Sequence, residues 1–182
     1  MKRAIGAAAA RCLAAVVLTA AAAAAGAAQP LPEAVQRDLP GLALHGEATY
    51  RFLAMKVYDI RLWAPGGQYA AGKSFALELQ YAMNFKGADI AKRSIDEMRG
   101  QGFGPDDKLE RWRVEMVKVF PDIKPGDTLI GVAEPGKEAR FYTRDKFIAT
   151  VPDPEFAQAF FAIWLSEKSS EPGLKKRLTE KQ

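Results

Sequence analysis

Tyrosines and arginines supply most of the chemistry in this chain. Tyr50, Arg51, Tyr58, Arg61 and Tyr81 fall in stretches that alternate like β-strands. A phenol can donate and accept a hydrogen bond, and a guanidinium offers paired donors that match a carboxylate. Over an apolar floor, such a set could hold an anionic head group and its tail. The opposing reading makes the tyrosines core rings with hydroxyls at the rim and the arginines surface residues. The residues alone leave both readings open.

The usual enzyme constellations are missing. His45 is the single histidine, with no cysteine near it, so the three or four ligands of a zinc site cannot be assembled around it. A serine-histidine-acid triad would need His45, and no G-x-S-x-G context exists. Asp106 and Asp107 stand at an expected helix start, where negative charge offsets the helix dipole. Gly100, Gly102 and Gly104 follow a helix rather than opening one, which argues against a phosphate cradle. No metal and no cofactor is expected.

The elements that must position these side chains begin after a leader. Lys2, Arg3 and Arg11 precede an uncharged run from Cys12 to Ala28 that ends in Gly26, Ala27 and Ala28. That order predicts a secretory signal peptide over residues 1–28 and a periplasmic location, against the alternative of a retained anchor. Of 182 residues, 182 less 28 leaves 154, enough for one domain over 29–182 with its own core. No membrane anchor is expected once the signal is gone. The one cysteine leaves with the leader, so no disulfide is expected. Three of the 26 basic residues leave and none of the 22 acidic ones; 23 against 22 gives +1. That balance carries no footprint for nucleic acid.

The chain is organised around Gly46 to Trp63, GEATYRFLAMKVYDIRLW, which reads as two adjacent strands. Tyr58, Ile60 and Leu62 alternate with Asp59 and Arg61. Leu42 and Leu44 begin the first strand, and Leu31 to Asp38 is a short helix or arm. Phe75, Leu77, Leu79 and Tyr81 form the clearest strand. Ala88, Ala91, Ile95 and Met98 then take helical spacing up to Gly100. A second helix opens at Pro105 and Asp106, with Leu109, Trp112, Met116 and Phe120 as its apolar stripe. Strands are expected at Thr128 to Glu134, Ala139 to Thr143 and Phe147 to Val151. Asp153 and Pro154 cap and open a helix, FAQAFFAIWL, that is apolar nearly all round. Ser169 to Gly173 reads as a loop before a basic amphipathic end. The order predicts an α+β fold: an antiparallel sheet with helices packed on one face. Its other face should be wet, shielded by polar side chains or closed by a partner.

Four stretches carry a family likeness: the strand pair GEATYRFLAMKVYDIRLW, then FPDIKPGDTLIGV (Phe120 to Val132), FAQAFFAIWL (Phe156 to Leu165) and SEPGLKKRL (Ser170 to Leu178). In this order they resemble the chalcone isomerase-like family, in its bacterial exported branch. The resemblance implies an open-faced β-sandwich with a ligand cleft between a curved sheet and its helices. The catalytic side chains of the plant isomerases do not carry over. The position of their arginine matches Tyr50, with Arg51 one residue on and on the opposite face. The strand threonine matches Tyr58. The expected helix from Ala88 to Gly100 lacks their tyrosine and asparagine, with Lys86 and Arg93 near those places. The late-helix hydroxyl falls at about Ile163.

The resemblance therefore implies a non-catalytic protein binding a small amphipathic molecule such as a fatty acid, because non-enzymatic members bind fatty acids. Tyr50, Tyr58 and Tyr81 would line the cleft, with Arg51 or Arg93 meeting the acid group. Two alternatives stay open: a protein-interaction module of the cell envelope, and an intramolecular lyase or isomerase using other side chains.

Overall fold

A computed structural model describes residues 29–180 of the chain, so the expected leader lies outside the described residues. A short helix, α1 (Glu33–Asp38), leads into β1 (Leu42–Phe52), β2 (Met55–Pro65) and β3 (Phe75–Tyr81). The chain then leaves the sheet for α2 (Gly87–Gly100) and α3 (Asp106–Val119). It returns as β4 (Thr128–Ala133), β5 (Ala139–Tyr142) and β6 (Phe147–Val151), and ends in α4 (Pro154–Leu165) and α5 (Pro172–Thr179). The six strands pair in chain order, each antiparallel to its neighbour. The α+β arrangement expected from the periodicity is the one observed. The last helix begins at Pro172, inside the stretch read as a loop, because proline is tolerated in a helix's first turn. Among the described residues no helix is long and apolar enough to cross a membrane.

Strand alternation sorts the side chains into two layers. Ile60, Leu62, Leu77, Leu79, Leu129 and Phe141 are buried in the main core, together with the apolar faces of α2 to α5. Helix α4 lies within that core, which is why its apolar surface wraps all round; Phe156, Phe160, Phe161 and Trp164 are all buried. Each large side chain so buried stabilises the fold by roughly 1.5–3 kcal/mol before entropy is counted. The Asp153 carboxylate fixes the start of α4 by accepting from the backbone N–H groups of Glu155 (2.9 Å) and Phe156 (3.1 Å). Its other oxygen accepts the Trp112 indole N–H at 2.8 Å and so ties α3 to the same cap.

Close approaches fix where two helices sit. A Cβ on Gly46 would stand 2.4 Å from the Leu178 carbonyl oxygen, so only glycine lets α5 lie against β1. At Gly87 the same atom would stand 2.0 Å from the Phe120 carbonyl oxygen, where the start of α2 meets the end of α3.

The second face of the sheet corrects an expectation. It is neither simply wet nor left for a partner: the chain's own N-terminal arm covers part of it. Leu31 and Val35 pack with Trp63, Ala76, Ile130, Val132 and Tyr142 as a second buried cluster. At its centre lies Glu78, fully buried, accepting from the Trp63 indole at 3.0 Å and from Arg144 at 2.5 Å. Arg144 also donates to the Pro30 carbonyl at 2.9 Å, and the Tyr142 hydroxyl donates to Asp38. Arg61 stands 3.9 Å from Glu78. Breaking a buried charge pair from one side leaves the other charge uncompensated. Arg144→Ala should therefore cost about 3 kcal/mol in urea unfolding. A loss under 1 kcal/mol would show that Arg61 and Trp63 suffice to hold Glu78.

Candidate functional site

Register builds the site. Tyr50 of β1 lies directly opposite Tyr58 of β2, and Tyr58 lies opposite Tyr81 of β3. Three phenols thus form one row across three strands, on the face that meets the helices. The Tyr50 and Tyr58 rings stack at 5.1 Å, and Tyr81 meets Tyr58 edge-on at 5.7 Å. Phe85 extends the row, its ring 5.6 Å from Tyr81. Tyr50 and Tyr58 are followed by a register shift: Arg51 pairs with Lys56, leaving Val57 as the extra residue. This bulge lets Val57, Tyr58 and Met55 all reach the same space, where strict alternation from Tyr58 would have sent both Met55 and Val57 away.

That space is a cavity of about 460 Å³, within the range of small-molecule sites. The tyrosine row, Leu79 and Leu129 form the sheet wall. Phe160, Ile163 and Trp164, one face of α4 at i, i+3 and i+4, form the opposite wall. Ile90, Arg93, Ser94 and Glu97 come from α2 by the same spacing. The two walls of the cavity are tied by a hydrogen bond, where the Trp164 indole N–H donates to the Tyr58 hydroxyl at 3.0 Å. Sequence reasoning missed Trp164. The signal for it was present: a tryptophan inside an all-apolar helix still needs an acceptor for its N–H.

The cavity's charged lining is Asp89, Arg93, Glu97 and Glu171. Arg93 is the one cation there, and it donates to Glu97, four residues along α2. The sequence-expected residues Tyr50, Tyr58, Tyr81 and Arg93 are therefore brought together. Arg51 is not. Alternation turns it to the other face, where its exposed guanidinium donates to the Ala54 carbonyl at 3.3 Å. Arg61 also points away, bonded to Glu47 at 3.3 Å. Lys86 pairs with Asp122 at 2.8 Å, outside the lining. A second cleft, of about 470 Å³, lies along α4 and includes Tyr69, Phe75 and Phe161.

Burial sets the protonation of the row. Desolvation pushes the Tyr58 hydroxyl far above the usual phenol range, only partly offset by the bond from Trp164. Tyr81 is pushed up as strongly, by desolvation and then by Tyr58. Tyr50 is raised by desolvation first and then by Glu171, with Arg93 pulling the other way. At neutral pH all three are neutral phenols, able to donate but not to act as bases.

The family model described as chalcone isomerase-like matches residues 23–179. The chain belongs to the chalcone isomerase-like family. An Arabidopsis thaliana fatty-acid binding protein has the same fold, with a TM-score of 0.58 at 12% identity over 76% of this chain and 87% of that one. A Haemophilus influenzae protein described only as uncharacterised is 30% identical over 126 residues, 69% of this chain. The match spans 61% of that relative's length.

For a chalcone isomerase-like protein, the replaced positions are telling. Tyr50, Tyr58, Arg93 and Ile163 all line the cavity. Of the positions that the resemblance sets near the plant isomerases' catalytic side chains, these four face the cavity and Lys86 does not.

The row makes a pH prediction with a definite sign. Unfolded tyrosine ionises near pH 10, whereas these folded phenols keep their protons. Above about pH 10 the unfolded state binds fewer protons, so stability falls with rising pH; below about pH 9 these groups contribute no slope. Tyr58→Phe should make the alkaline fall shallower and cost about 1 kcal/mol at pH 7, through the unpaired Trp164 indole. An unchanged alkaline slope in denaturation measured at pH 8 to 11 would show that Tyr58 ionises freely.

Proposed function

We propose that this chain is a non-catalytic carrier of a small amphipathic molecule, a fatty acid being the class that fits best, and that it is exported by its N-terminal leader. The observation that carries this reading is the half-open, mainly apolar cavity between the tyrosine row and α4, with hydrogen-bond donors along one wall and a single arginine in its lining. An acyl tail would lie against Leu79, Phe85, Leu129 and Phe160. The head group would meet Arg93. The fatty-acid binding neighbour supports the class through the shared fold.

The lining also tells how the head group must be held. Asp89, Glu97 and Glu171 share the lining with one cation, and Glu97 already takes one Nη of it, so an acid group at Arg93 must compete with Glu97. Affinity should therefore come chiefly from the tail, with the head group setting orientation.

Titration with saturated fatty acids of increasing length tests this. Burying each methylene is worth about 0.8 kcal/mol, so affinity should rise about fourfold per carbon until the cavity is full. Arg93→Ala should weaken the acids about tenfold and leave the matching alcohols unchanged, while Glu97→Gln should tighten the acids. Acids and alcohols binding alike to both forms would remove the fatty-acid assignment, and no binding at any length would remove the carrier. Native mass spectrometry of protein recovered from the envelope without detergent tests export, which requires a chain beginning near Gln29.

A further inference from the structure

The hairpin joining β1 to β2 has a turn that folding alone does not explain. Phe52 pairs with Met55, so the turn is the two residues Leu53 and Ala54, and both have positive φ, 47° and 68°. Two-residue hairpin turns with this backbone favour Asn-Gly or Asp-Gly, because left-handed backbone crowds a Cβ. Here the strained positions hold an aliphatic pair, and Leu53 is 79% exposed. Phe52 and Met55 beside it are 56% and 52% exposed. Four apolar residues thus stand in water at one tip.

The tip is continuous with the cavity, since Phe52 and Met55 also belong to its lining. Two cations flank it. Arg51 extends from β1, bonded only to the turn's own carbonyl at Ala54, and Lys56 extends from β2, paired with Asp59 at 2.6 Å. A convex tip of four residues is far too small for the roughly 800 Å² per partner that a stable protein interface buries. A bilayer needs no complementary shape: it takes an apolar tip among its acyl chains and offers phosphates to flanking cations.

We infer that the Phe52–Met55 tip inserts into the surface of a lipid bilayer and places the cavity mouth at the acyl layer, so that the ligand passes between membrane and cavity. This rests on the carrier reading above for what passes, but not for the insertion itself. Local strain at the turn then serves to present Leu53, as strained backbone elsewhere serves a site.

The test uses Leu53→Trp and, separately, the double variant Leu53→Asn, Ala54→Gly. Neither residue lines the cavity, and the double variant installs the turn's favoured sequence, so it should fold at least as stably as the parent. All forms keep the same N-terminal segment. With phosphatidylethanolamine–phosphatidylglycerol vesicles, the Leu53→Trp emission should shift to the blue, and cosedimentation of the parent should drop at least fivefold in the double variant. The double variant should keep the parent's equilibrium affinity for a fluorescent fatty acid within twofold and slow its transfer from vesicles at least tenfold. Absence of a blue shift, or equal cosedimentation of parent and double variant, overturns the inference. So does a dimer of the parent that the double variant abolishes, which would assign the tip to a second copy. Insertion without any fatty-acid binding would leave the tip standing and remove the carrier; fatty-acid binding without insertion would do the reverse.

Discussion

The register of β2 between β1 and β3 is the constraint on which the site depends. It sets Tyr58 opposite both Tyr50 and Tyr81, on the face turned to the helices. A slip of one residue would send all of β2's inward side chains to the other face. Several features hold that register against such a slip. Ile60 and Leu62 must be inside, Arg61 must reach Glu47 and Glu78, and Trp63 must donate to Glu78. The Trp164-to-Tyr58 hydrogen bond then locks α4 to the strand from the opposite layer. Its energy is modest, about 1 kcal/mol, but its geometry sets where the two walls of the cavity stand.

The same row supports the proposed reading of the site as a binding cavity. Proton transfer needs a group whose charge can change near the working pH. Burial moves the phenols away from that range, so they are fixed donors. Arg93, the one cation in the lining, is already engaged by Glu97. Beside the carboxylates of Asp89, Glu97 and Glu171 at its rim, the site is an apolar volume with oriented hydrogen-bond donors, the composition of a binding cavity.

Much of this was legible in the chain. Period-two alternation in Tyr58 to Leu62 and Phe75 to Tyr81 predicts both strands and the inward side of each tyrosine. The change to helical spacing at Ala88 predicts α2, and Asp153-Pro154 marks the start of α4 where it is found. The rest depends on contacts between residues far apart. The arm covers the second face because Arg144 reaches Pro30 across 114 residues, which no local pattern encodes. Arg51 was offered beside Arg93, yet alternation already excluded it from the inner face that holds Tyr50. The carboxylates of Asp89 and Glu171 reach the cavity from α2 and from the loop before α5, a pairing set only by the fold. The bulge at Val57 breaks the period, so Met55 reads from sequence as facing the wrong way.

The central claim is that an amphipathic ligand sits against the tyrosine row. The chain's five tyrosines offer an internal control, because Tyr69 lines the second cleft and Tyr142 lies in the cluster on the far face. Carbon-13 labelling of the tyrosine rings, followed by NMR during titration with a saturated fatty acid, reads all five at once. The account predicts that the Tyr50, Tyr58 and Tyr81 resonances move together to saturation while those of Tyr69 and Tyr142 stay. Movement of Tyr69 with the row unchanged, or no movement of any tyrosine at saturating ligand, would contradict it.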